Sequence, residues 1–310
     1  MKIAFFWTWE FSKNTLQWIL ELWDIEIWLV VSQPDKPIWR KKIITPTPIK
    51  ILAEEKKIKV LQPEKLKANT DFFKELEWFD FLVVVAYWKI VPNEVLNAPK
   101  YWCINIHGSI LPEYRWASPI QEAIKNWDNE TWLTIMYMSE WMDEWDILDI
   151  KKINIDKADR TKDIFEKFEK IGPKLLIDTL NWILNWTIKW KKQDLSKATY
   201  CSKISKEDWE INFQTDLSKD VFNKYNAYYD WPGIYTLYNG KKLNLEEIDI
   251  INNESDVDIG SIVRLDKKNI WIATKDKNLI ILKKVKLEWK KSMDILSFIN
   301  WNKEFLDYKF

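Results

Sequence analysis

The chain is short of histidine, cysteine, arginine and glycine, and each shortage narrows what it can be. His107 is the only histidine in 310 residues, so imidazole chemistry has a single address. Cys103 and Cys201 are the only cysteines, and Cys103 lies inside an apolar run. A disulfide framework is therefore not expected, which suits a cytoplasmic protein, and no Cys/His cluster exists to bind a metal. Basic and acidic residues balance at 47 each, so no global field points to nucleic acid and any RNA contact must come from a local patch. No apolar run approaches membrane-spanning length and no signal-peptide pattern follows Lys2, so no membrane association is expected. Glycine is the sharpest deficit: 5 residues, where a typical share of about 7% would give roughly 22, against 22 tryptophans. The tryptophans sit in turn-like contexts such as Leu22-Trp23-Asp24, Asn126-Trp127-Asp128 and Asn185-Trp186-Thr187.

The richest stretch runs from Cys103 to Asp146. Asn105 and His107 close a short apolar run, and because strand side chains alternate they point to one face. One can donate an amide hydrogen bond while the other handles a proton. Asp143, in a later loop, can orient the imidazole and favour its protonated form. Asn105, His107 and Asp143 are the candidate catalytic residues; on the residues alone, a purely structural histidine remains the alternative.

Around this stretch the pattern is one of alternating strands and helices. Lys2–Phe6, Ile25–Val31, Val60–Leu61, Phe81–Ala86 and Cys103–His107 read as strands, with Phe81–Ala86 a continuous apolar run of the kind buried on both faces of a sheet. Trp7-Thr8-Trp9-Glu10 makes a Rossmann-like strand-turn-helix opening that lacks the full dinucleotide fingerprint. Ser32–Lys50, with four prolines and a basic run, reads as one long surface loop. Thr131–Met138 and Asp146–Ile155 are two further strands joined by the Asp143 loop, and Thr161 starts a long amphipathic helix. The expected fold is α/β: a Rossmann-like, mostly parallel sheet in an N-terminal domain (1–188), a polar linker (189–204), and an OB-like C-terminal β-barrel domain of five short strands (205–310).

The order Asn105, His107, Ser109, Leu111, Pro112, Arg115, Ala117, Pro119, Ile120, Gln121, Asp143 closely resembles the signature of the folate-dependent formyltransferases, in particular those that act on tRNA. The resemblance implies formyl transfer from 10-formyltetrahydrofolate, as co-substrate, to the amine of methionyl initiator tRNA in translation initiation. It implies a folate pocket lined by Tyr87, Trp88, Ile90, Ser109, Ile110, Leu111 and Pro112. It also implies a tRNA-gripping loop, matched here by Gln33-Pro34-Asp35 and the basic Arg40, Lys41 and Lys42, and a tRNA-binding C-terminal domain. A monomer is expected. Two other readings stay open: a formyltransferase acting on an amino sugar nucleotide or a glycinamide ribotide, and a non-catalytic folate- or RNA-binding relative.

Against that family, Trp7, Trp88, Trp102, Trp116, Trp127, Trp132, Trp141 and Trp145 fall where glycine is usual, whereas Trp231, in Asp-Trp-Pro-Gly, falls where tryptophan is usual. The pattern fits an alternative genetic code in which UGA specifies glycine, with every tryptophan but Trp231 standing for glycine.

Overall fold

A computed structural model describes every residue except 8–9, 23–24, 39–42, 86, 88–89, 252–254, 265 and 267–268, and only the backbone of 7, 10–12, 22 and 38. The chain divides into two compact units. The first comprises 1–119, 130–154 and 165–201; the second comprises 120–129, 155–164 and 202–310.

The first unit is built on a seven-stranded sheet. Its strands are Lys2–Trp7 (β1), Glu26–Val31 (β2), Lys59–Leu61 (β5), Phe81–Val85 (β6), Trp102–His107 (β7), Glu130–Tyr137 (β9) and Ile147–Asn154 (β10), in the order β10-β9-β7-β6-β1-β2-β5. The pairs β5-β2, β2-β1, β1-β6 and β6-β7 are parallel, whereas β7-β9 and β9-β10 are antiparallel. The α/β, mostly parallel expectation is met. The antiparallel pair follows from chain length, since the nine residues between β9 and β10 allow a direct return without a crossover helix. β6 is buried along its whole length, as its unbroken apolar run requires. Helices Glu10–Leu22 (α1), Pro48–Glu55 (α2), Thr70–Leu76 (α3) and Asn93–Leu96 (α4) connect the parallel strands. One apolar layer joins Ala4, Phe6, Leu82, Val84 and Cys103 to Phe72, Leu76, Val95 and Leu96.

Ser32–Lys50 departs from the single loop expected. Lys36–Ile38 (β3) pairs with Ile43–Thr45 (β4) as an antiparallel ribbon, and Thr47 caps α2 with Pro48 in its first turn. A two-stranded ribbon has only edges, so its proline takes no hydrogen bond away from a neighbour. At the ribbon's base, Lys50 Nζ lies 2.6 Å from Asp35 Oδ2, and Gln62 Nε2 donates to Asp35 Oδ1 and Gln33 O, both at 2.7 Å. The hydrogen bond from Lys50, then that from Gln62, holds the Asp35 carboxyl below its usual range. Helix Pro119–Lys125 (α5) and helix Thr161–Leu184 (α6) each run from one unit into the other along the chain.

The second unit carries an antiparallel sheet of Tyr235–Tyr238 (β12), Lys241–Ile251 (β13), Leu279–Leu287 (β16), Ile270–Ala273 (β15) and Ile262–Val263 (β14) in that spatial order, with Met293–Asp294 (β17) on β16. The five strands expected from the sequence are present and curl into a half-barrel. Tyr238 anchors its aromatic core, with rings of Phe305 and Tyr308 at 5.2 and 4.7 Å. Helix Ser218–Tyr228 (α7) is held by Asp276, which accepts from Ser218 N at 3.1 Å and Ser218 Oγ at 2.8 Å. Lys283 and Lys284, on β16, face Asp249 and Glu247 across the ladder at 2.9 and 3.9 Å.

Candidate active site

The site grows from the register of β7. Cys103 faces the apolar layer described above, and the two-residue period puts Asn105 and His107 on that same side, at the carboxyl end of the strand. Open α/β sheets bind ligands just beyond that end. His107 is buried, and its Nε2 lies 2.9 Å from Tyr114 O. A carbonyl can only accept, so Nε2 carries the hydrogen and donates it. Nδ1 is left facing Asp143 Oδ2 at 3.7 Å and is the nitrogen that can take up and release a second proton.

Asp143 comes from the turn between β9 and β10 with φ of 59°, in the left-handed region, where aspartate is one of the few tolerated side chains. Its Oδ2 accepts from Trp116 N at 2.9 Å and its Oδ1 from Asn105 Nδ2 at 3.4 Å. The sequence-predicted trio Asn105, His107 and Asp143 is thus brought together around one carboxylate. Asn105 Nδ2 carries a second hydrogen besides the one it gives to Asp143.

The candidate pocket residues divide. Ser109 is buried, and its Oγ donates to Glu113 O at 2.6 Å; Leu111 is buried against Met136 and Ile147. Both side chains build the turn that presents His107, whereas Ile110 and Pro112 are half-buried. Tyr87 packs edge-on against Phe6 at 5.7 Å; its hydroxyl is buried without a partner among the described residues, and burial pushes its pKa up to about 12. Ile90 is exposed. Trp88, Arg40, Lys41 and Lys42, and the Thr8-Trp9 part of the first turn, lie outside the described residues. Among the described residues no group of histidine, cysteine and carboxylate side chains is placed to hold a metal ion, and no helix is long and apolar enough to cross a membrane.

The segment expected as a linker carries contacts that sequence reasoning missed. Lys191 and Ile147 exchange backbone hydrogen bonds at 2.8 and 2.9 Å, and Tyr200–Cys201 (β11) pairs in parallel with Arg115–Trp116 (β8). Thr199 accepts from Tyr114 N through its side chain and from Arg115 N through its carbonyl, both at 2.9 Å. Arg115, only 1% exposed, is met by Gln193 Oε1 at 2.7 Å and Glu144 Oε1 at 3.2 Å. The segment reads as polar and basic, with Lys189, Lys191 and Lys192 at its start, and no apolar periodicity marks a strand in it.

Two family models cover most of the chain: the formyl transferase model matches residues 1–180, and the formyl transferase C-terminal domain model matches residues 203–303. A methionyl-tRNA formyltransferase from Caldicellulosiruptor saccharolyticus is 42% identical over 97% of this chain and 96% of its own length. One from Mesoplasma florum is 35% identical over 96% and 94%. Among solved structures, an N-formyltransferase from Helicobacter canadensis, in complex with folinic acid and dTDP-3-aminofucose, superposes with a TM-score of 0.67 at 18% identity, covering 91% of this chain and 98% of its own. That likeness establishes the fold, and the relatives at 35–42% identity over nearly the whole length establish more: the chain belongs to the methionyl-tRNA formyltransferase family.

Proposed function

We propose that this protein transfers the formyl group of 10-formyltetrahydrofolate to the α-amine of methionine on initiator tRNA, in the cytoplasm, with residues 1–188 as the catalytic domain and 205–310 as a tRNA-binding domain. The observation that carries the reading is the convergence of Asn105, His107 and Asp143 on one carboxylate at the carboxyl end of β7. The attacking amine forms a C–N bond to the formyl carbon, and the carbonyl oxygen becomes an oxyanion. Asn105 Nδ2 and a protonated His107 supply the hydrogen bonds it needs. That imidazolium forms when the neutral His107 takes the proton lost by the amine at Nδ1, and it then gives this proton to the departing folate nitrogen, so no net proton is consumed. Asp143 holds the ring and balances the imidazolium charge. Tyr87, Trp88, Ile90 and residues 109–112 are assigned to the folate pocket, and Arg40, Lys41 and Lys42 to phosphates of the acceptor arm. The test is formylation of charged initiator tRNA by purified protein given 10-formyltetrahydrofolate. Rapid formylation is expected; transfer only to an amino sugar nucleotide would replace this reading with the alternative.

The tryptophans are read as glycines, all but Trp231. Among the described tryptophans only Trp271 is buried, and its indole N–H has no partner among the described residues, whereas such groups normally find one. Trp116, Trp127, Trp186 and Trp289 hold φ of 84°, 63°, 57° and 63°, the region glycine enters without steric cost. At the site, Trp116 contributes its backbone N–H and Trp145 its backbone carbonyl, atoms that glycine supplies equally. Peptide mass spectrometry on protein from its native source should find glycine at positions 88, 116, 141 and 145; TGG codons there would overturn the reading.

A further inference from the structure

We infer that Gln193 is a positioning residue for Asp143, and that the strap from Lys191 to Cys201 exists in part to deliver it. The inference rests on the formyl-transfer reading of the site and adds a residue outside the catalytic trio. The Gln193 amide is saturated. Its Nε2 donates one hydrogen to Asp143 O at 2.9 Å and the other to Trp145 O at 2.6 Å. Its Oε1 accepts from Arg115 Nη2 at 2.7 Å and Arg115 Nε at 3.3 Å. With all four bonds made, the amide cannot be reversed: turned over, it would present its NH2 to a guanidinium and its oxygen to two carbonyls.

Three segments distant in sequence are joined at this one side chain. The turn that holds Asp143 in a left-handed conformation is gripped on both sides, through the carbonyls of 143 and 145. Arg115, fully buried, also meets Glu144 of the same turn at 3.2 Å. Its neighbour Trp116 donates its N–H to Asp143 Oδ2. The strap itself is fixed at both ends, by Lys191 on Ile147 and by β11 on β8. Backbone on one side and guanidinium on the other therefore set where the carboxylate stands relative to His107 Nδ1. The two long contacts of that carboxylate, 3.4 Å to Asn105 and 3.7 Å to His107, leave it little else to fix its position on that side. A displacement of about 1 Å at a reacting group can cost 10²-fold in rate.

Gln193→Glu separates positioning from structure. Glutamate keeps an acceptor for Arg115, whose ion pair with Glu144 does not involve Gln193, but it has no hydrogens for the two carbonyls. If Gln193 only accepted hydrogen bonds from Arg115, the Glu variant would fold and turn over normally. As a positioning residue, it should melt near the wild-type temperature yet lose about 10- to 100-fold in kcat, with KM for both substrates within about threefold. Gln193→Met, the uncharged isostere, removes both functions and should be slower still if it folds; the Glu variant decides if it does not. A Gln193→Glu kcat within about threefold of wild type would overturn the assignment while the formyl-transfer reading stands. Wild-type protein that formylates no charged tRNA would overturn that reading and this one together.

Discussion

Two aspartates in turns, Asp143 in the first unit and Asp276 in the second, show how differently this chain uses the same side chain. Asp276 is saturated with donors. It accepts from Ser218 N and Oγ, from Thr274 Oγ1, and from Asn278 Nδ2 at 3.0 Å. Burial opposes its charge, but hydrogen bonds from Thr274, Ser218 and Asn278 outweigh it and hold its pKa down at about 2. Asp143 has one short bond, from Trp116 N, two long contacts, and a backbone in the left-handed region. A carboxylate that closes a turn spends its acceptor capacity on fixed donors. One that serves a reaction keeps capacity for a proton-carrying partner and is held by its neighbours' backbone instead.

The comparison can be broken at its sharpest point by removing each partner in turn. His107→Ala and Asp143→Asn should each cost about 10³-fold or more in formylation rate, within the range general acid-base groups supply, with little change in melting temperature. Asp276→Ala should do the reverse. Turnover per folded molecule should stay near wild type while stability falls by about 1–2 kcal/mol, after allowing for solvent screening of a partly exposed group. The sign with pH follows, because the folded pKa lies below the unfolded one. Asp276's contribution is fully present above about pH 4 and is lost as pH falls through about 2. Acid denaturation of the Ala variant should accordingly show a shallower loss across that window. Arg40→Ala should have the smallest effect, weakening tRNA binding a few-fold at low salt and reducing the slope of log affinity against log salt by about one.

Much of this was legible in the sequence, for identifiable reasons. The parity of Asn105 and His107, the unbroken apolar run of β6 and the change from helix-strand alternation to short strands after residue 205 are consequences of periodicity, and periodicity survives folding. The Asp143 loop was placed because it lies between two clear strands. The β3-β4 ribbon was missed because proline normally argues against a strand, and only an isolated pair of edges relaxes that rule. Gln193 was missed for a deeper reason. Its segment is polar and aperiodic, and its partners, Arg115, Asp143 and Trp145, are 48–78 residues away, so nothing local announces the contact. The left-handed backbone at Asp143 was equally silent, since aspartate is compatible with many turns.

The central claim is that one carboxylate organises Asn105 and His107 for formyl transfer. Single-turnover formylation of methionyl initiator tRNA by wild-type and Asp143→Asn protein, with tRNA affinity measured in parallel, tests it most directly. The account predicts a rate lower by about 10³-fold with affinity within about threefold of wild type. A variant that formylates at close to the wild-type rate would contradict it.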